Sequence, residues 1–180
     1  MSTKVYSLQS YVFTPGEKVL LDANIWLYLF PAPISINKAL ACKYSEAFKR
    51  LCEENAQPLL DPMVLSEYLN RYCRIEYDAT FQKKFKDYKG FRKSDDFLGV
   101  STSAHNFAKK ILKFCKFHSV SISNLNFDQA LEEFQSGKTD FNDAVLADIC
   151  RKGGFKFMTH DGDFKYSGID ILTVNPRLLA

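Results

Sequence analysis

The sequence predicts an α/β protein: one domain spanning residues 1–180, with a central parallel sheet of about five strands between two layers of helices. Three observations carry that expectation. Short, continuous apolar runs of strand length recur along the chain, as they do in strands buried on both faces. Segments with helical apolar spacing separate them. No internal repeat or low-complexity tract interrupts the alternation.

The first strand is expected at KVLLDA (18–23), where Val19, Leu20 and Leu21 precede Asp22, and an apolar helix follows immediately. QPLLDP (57–62) reads as the second strand, with Asp61 and Pro62 placed as N-cap and first-turn residues of a helix over 62–75. That helix carries Val64, Leu65, Tyr68, Leu69 and Tyr72 at helical spacing, and Glu67 lies about a turn and a half from its start. Next, HSVSISNL (118–125) alternates as a strand does, FDQALEEF (127–134) reads as a short helix, and FNDAVLADICRK (141–152) as a helix closed by Gly153 and Gly154. FKFMTHD (155–161) and IDILTV (169–174) supply the last two strands. Trp26 is expected in the core.

The segment from 71 to 116 is the least regular and is expected to be a mainly helical insertion. It holds twelve basic residues against five acidic ones, although the whole chain carries a formal charge of only +3. Aromatic residues such as Tyr72, Tyr77, Phe81 and Phe91 are interleaved with that charge. A net charge of +3 does not by itself argue for nucleic-acid binding, so the concentration in this segment is the relevant observation. A solvated helical face over an aromatic core accounts for the same pattern.

The apolar fraction of 46% and charged fraction of 25% are those of an ordinary globular protein. Five cysteines, odd in number and without close pairing, suit a reducing cytoplasm. No apolar run is long enough to span a bilayer, so a non-membrane protein is expected. No glycine-rich turn follows the first strand, which disfavours dinucleotide binding.

Ligands of open parallel sheets bind beyond the carboxyl ends of the strands. Four acids fall at or near that edge: Asp22 after the first strand, Glu67 in the helix after the second, Asp143 in the first turn of the helix at 141, and Asp161 after FKFMT. Asp140 and Asp163 stand close to the last two. Each has a structural alternative: Asp140 as an N-cap, Asp143 as a first-turn acid, Asp163 as a turn residue, Glu67 on a solvated face. Asp22 is harder to account for in that way, because an unpaired carboxylate against the core is costly. Converging carboxylates repel, so the set implies raised pKa values or a bound cation. Mg2+ or Mn2+ matches an all-oxygen ligand set, and the three histidines are scattered.

The series VLLDANIWL, PMVLSEYL, TDFNDAVLADIC and FMTHDGDF resembles the PIN-domain family, which includes ribonuclease toxins of VapC type. The resemblance implies a three-layer α/β/α PIN-like fold. It also implies that Asp22, Glu67, Asp143 and Asp161 bind metal and carry catalysis, supported by Asn24, Asp140, Thr159 and Asp163. The implied activity is hydrolytic, metal-dependent endonucleolytic cleavage of RNA, and a toxin role would add a small antitoxin and a homodimer. The stretch between Glu67 and Asp143 is longer than expected for a compact toxin. Lys83, Lys84, Lys86, Arg92 and Lys93 are then expected to track the RNA backbone, with neighbouring aromatic rings stacking unpaired bases. A non-catalytic RNA-binding or regulatory module is the alternative. A phosphatase of haloacid dehalogenase type ranks below both, because Asn24 stands where its second aspartate belongs.

Overall fold

The computed structural model describes residues 2–33 and 37–180. Its six strands form one all-parallel sheet: β1 (Lys4–Ser7), β2 (Lys18–Leu21), β3 (Gln57–Leu60), β4 (Lys116–Phe117), β5 (Lys156–Met158) and β6 (Asp170–Thr173). The helices are α1 (Ala23–Leu29), α2 (Lys38–Glu53), α3 (Pro62–Glu76), α4 (Tyr88–Phe91), α5 (Asp95–Phe114), α6 (Phe127–Gln135), α7 (Phe141–Gly153) and α8 (Pro176–Leu179). Parallel neighbours need crossovers, and helices filling those crossovers cover the sheet and complete three layers.

The strand order β1-β6-β5-β2-β3-β4 places β2 at the centre. From β2 the chain builds outward through β3 and β4, then returns to the other side of β2 for β5 and β6, while β1 closes that edge. The direction of winding therefore reverses between β2 and β5, and the crevice beyond the carboxyl ends of those two strands is the ligand position this topology creates. Their register sets Leu20 opposite Phe157 and Leu21 opposite Met158. All four side chains are fully buried, which explains the continuous apolar runs.

Helix ends follow their local chemistry. The Asp61 carboxylate accepts the Met63 N–H at 2.6 Å with Pro62 opening α3, and α7 ends on Gly154 in the left-handed region at φ 63°. Trp26 is in the core, as its spacing indicates.

One expectation about strands is refined and one is corrected. The sheet has six strands, the extra one being the edge strand β1, whose KVYS sequence is only half-buried and shows neither an apolar run nor a clear alternation. The strand expected at 118–125 is instead the two-residue β4 at Lys116–Phe117, followed by a 3-10 turn at Ile122–Asn124. His118 turns inward there to bond Asp61 at 2.8 Å, and its Nδ1 accepts the Val120 N–H at 3.2 Å, which takes that backbone out of the ladder. Ile122, the strongest apolar residue of the alternation, is 73% exposed.

The 71–116 segment is helical: the end of α3, a π-helical turn at Tyr77–Phe81, then α4 and α5. Its rings pack on one another. Tyr72, Tyr77 and Phe91 are buried, with Phe81 stacked on Phe91 at 4.8 Å and Phe97 edge-on at 5.5 Å. Tyr72, Tyr77 and Phe91 belong to the hydrophobic core and Phe81 and Phe97 pack against it, which is the aromatic core beneath a solvated helical face that the sequence offers as the alternative.

Candidate functional site

The chain leaves β2 at Asp22, whose N–H donates to the Met158 carbonyl at 3.0 Å, so the first acid is tied to the end of β5. The side chain is 6% exposed. One carboxylate oxygen accepts the Ala23 N–H at 2.6 Å and caps α1; the other accepts the Thr159 hydroxyl at 2.6 Å and the Asn24 amide. Thr159 is fully buried, and its Oγ1 in turn accepts the Asp161 N–H at 2.9 Å. The Asn24 carbonyl oxygen accepts the His160 N–H at 3.1 Å. The loops after the two central strands are thus laced together by side chains whose remaining polar atoms are satisfied. Asp161 also accepts the Asp163 N–H at 3.0 Å, which starts the 3-10 turn at Gly162–Tyr166.

Glu67 reaches the same place from α3, where it pairs with Arg71 one turn on at 3.0 Å. Asp143 arrives on the first turn of α7, and Asp140 holds that helix's N-cap position without a side-chain capping bond. Asp22, Glu67, Asp143 and Asp161 line one cleft of about 330 Å³, with Asn24 and Asp140 at its wall. Thr159 lies behind it as a buried support, and Asp163 lines the two adjoining clefts instead. Lys83, Lys84, Lys86, Arg92 and Lys93 are exposed and do not line these clefts; Lys84 pairs with Asp96.

Burial pushes the Asp22 carboxyl up to about 6; the Thr159 hydrogen bond opposes that rise, and the charges of Glu67 and Asp161 add to it. Asp143 is pushed up to about 7 by burial first and then by Asp22, Asp161 and Glu67. Among the described residues, the one cation lining this cleft is Arg71, and it is engaged with Glu67. The cleft therefore concentrates negative charge that the protein leaves uncompensated.

That donor set suits a hard divalent cation: every side-chain ligand on offer is a carboxylate or amide oxygen. Among the described residues, no three His, Cys, Asp or Glu side chains stand close enough to grip one ion as they lie. The acids surround a space rather than a point, which matches an ion that keeps several waters.

Arg71 is part of the cleft wall, yet sequence reasoning counted it only within a basic segment. Its position four residues after Glu67, on the same helix face, is the signal that places it there. His160 flanks the site from the loop after β5, directly before Asp161, whereas Arg177 reaches it through the return of α8 to this edge, for which the sequence carries no local signal.

Neither a family model nor a curated protein sequence matches the chain. Among solved structures, the chain is similar to the crystal structure of PAE2754 from Pyrobaculum aerophilum, with a TM-score of 0.52 at 16% identity, covering 91% of this chain and 94% of that one. At that identity the likeness shows the fold: a three-layer α/β/α domain, matched across nearly all of both chains. No described helix is long and apolar enough to cross a membrane.

Proposed function

We propose that the protein is a divalent-metal-dependent endoribonuclease that hydrolyses RNA phosphodiester bonds. The observation that carries this reading is the convergence of four carboxylates, brought by four separate elements, on one cleft at the sheet's switch point. Asp22, Glu67, Asp143 and Asp161 are the residues that would hold Mg2+ or Mn2+. The bound ion would supply charge neutralisation at the phosphodiester and acidify the attacking water. Asp22 is fixed in place by its bonds to Ala23, Asn24 and Thr159, and the Thr159 hydroxyl also holds the backbone of Asp161. Such locking keeps metal ligands from drifting. The resemblance to PIN domains extends the reading to a toxin held in check by a small antitoxin and working as a homodimer.

The spread of the carboxylates favours one second reading, a module that binds RNA without cutting it. One assay separates the two. Structured and single-stranded RNAs are incubated with magnesium, manganese or chelator, using the native protein and Asp143→Asn. Metal-dependent cutting that disappears in the variant is the expected result. Cutting that survives in Asp143→Asn or in chelator would sink the nuclease reading; RNA bound but left intact would turn it to the second.

A further inference from the structure

We infer that the cleft beside the acids, walled by Arg71, Arg177 and His160, seats a backbone phosphate of a single-stranded nucleic acid lying next to the one held at the acids. This deepens the nuclease reading and rests on it for the identity of the strand.

The second cleft encloses about 380 Å³ and shares Asn24, Arg71 and Asp161 with the first, so the two are one continuous groove. The chemistry changes along it. The first is walled by carboxylates with one engaged arginine; the second adds the Arg177 guanidinium and the His160 ring. Arg177 is exposed and, among the described residues, its guanidinium has no ion-pair or hydrogen-bond partner. The backbone beneath it is fixed nonetheless. Buried Asn175 accepts the Arg177 N–H at 2.9 Å and donates from its amide to the His160 carbonyl at 2.7 Å, which binds the start of α8 to the loop that carries Asp161. A cation is thereby held beside the acid site by a buried link, with no acid paired to it among the described residues.

Arg71 stands where the clefts meet. Its pairing with Glu67 is an exposed contact one helical turn apart, of a kind that adds little to stability, so it can trade that carboxylate for a phosphate at little cost. Guanidinium forks suit phosphate oxygens. The Tyr44 hydroxyl stands 2.8 Å from His160 Nδ1; donating there, it leaves the Nε2 hydrogen available to a ligand. Tyr28, stacked on Tyr44 with ring centroids 5.2 Å apart, forms the remaining wall.

Asp161 and Asp163 also line this cleft, and they set the kind of ligand it takes. Two carboxylates offset two guanidiniums, so a free anion gains little by entering. A phosphate delivered within a strand already engaged at the acids does not depend on that balance alone, because its neighbour raises its effective concentration.

The test is binding of a fluorescently labelled single-stranded RNA, in magnesium, to an Asp143→Asn chain that leaves the probe uncut, with and without Arg177→Ala or Arg177→Lys. Expected are a loss of about 10-fold in affinity for the alanine variant, a salt slope shallower by about 0.7, a smaller loss for lysine with the slope retained, and no competition from inorganic phosphate. An alanine variant with the parent's affinity and salt slope overturns the inference, as does a failure of the parent to bind the strand, or ready displacement by inorganic phosphate. Cutting of the same RNA by the native chain is scored separately. Cutting combined with an unchanged slope removes this seat and leaves the nuclease; slope-sensitive binding with no cutting keeps the seat and removes the nuclease.

Discussion

The crowding of carboxylates has a stability consequence that needs no substrate. Replacing Asp143 by asparagine keeps the shape of the side chain and removes its charge, and among the described residues none of the side-chain hydrogen bonds that fix the cleft involves it. Its pKa rises from an ordinary 3.8 to about 7 on folding, chiefly through burial and then through Asp22, Asp161 and Glu67. A carboxyl whose pKa is raised on folding binds its proton more tightly in the native state. Stability therefore falls as pH rises from the unfolded value toward about 7, and the cost is fully present above that. A fully buried group shifted so far would cost ~4 kcal/mol; Asp143 is only partly buried, and solvent screening brings the expected figure to ~2 kcal/mol. In a domain of this size, that corresponds to a melting temperature raised by ~4–8 °C for Asp143→Asn near pH 8 in chelator. The gain should shrink to a small remainder near pH 4, where the native aspartate is protonated and the unfolded one, at its ordinary 3.8, is about half ionised. Thermal melts of both proteins at the two pH values measure it. Magnesium should then raise the melting temperature of the native chain more than that of the variant. An Asp143→Asn protein that melts below the native one near pH 8, or by the same interval at both pH values, would refute the reasoning that the cleft holds uncompensated charge.

Two further outcomes concern the scaffold beneath the site. Asp61→Ala removes both the cap on α3 and the buried partner of His118, and should cost ~2–4 kcal/mol, read as a lower urea midpoint with an unchanged m-value; a loss under ~0.5 kcal/mol would mean that water replaces both bonds. Gly153→Ala brings a methyl group to 2.2 Å from the buried Phe155 ring and should destabilise by ~1–3 kcal/mol, whereas Gly154→Ala meets open space and is limited to the ~1 kcal/mol strain of its left-handed backbone. Combining Gly153→Ala with Phe155→Leu should recover part of the first loss, and a strictly additive double variant would show that the ring is not the obstacle.

What could be read from the sequence divides along a physical line. The central strands announced themselves because burial on both faces writes an unbroken apolar run into a few adjacent residues, as Val19, Leu20 and Leu21 show. The first acid was legible for a related reason: Asp22 directly follows buried strand residues, where an unpaired carboxylate is costly, and it proves to be held by three donors. Edge strands lack that signature. β1 and β4 are defined by whom they pair with, and pairing between distant segments is not written in either segment alone. The alternation of 118–125 failed because His118 found a buried partner on another element, a choice that local periodicity cannot register.

Charge was the least legible property. Counting by segment drew attention to Lys83, Lys84, Lys86, Arg92 and Lys93, where basic residues are dense along the chain. The cations that wall the groove are Arg71 and Arg177, one on a helix face beside a predicted ligand and the other on a short terminal helix that only the strand order returns to this edge. Field at a site depends on distance in space and on screening, not on density in sequence. A basic stretch on an exposed helical surface can draw a polyanion toward the protein, whereas the seat proposed above assigns the resting place of its phosphates to the two arginines at the groove wall. The salt slope of Arg177→Ala and that of a combined Lys83, Lys84 and Lys86 alanine variant would weigh those contributions separately, and a groove that seats phosphate requires the first to flatten even where the second does not.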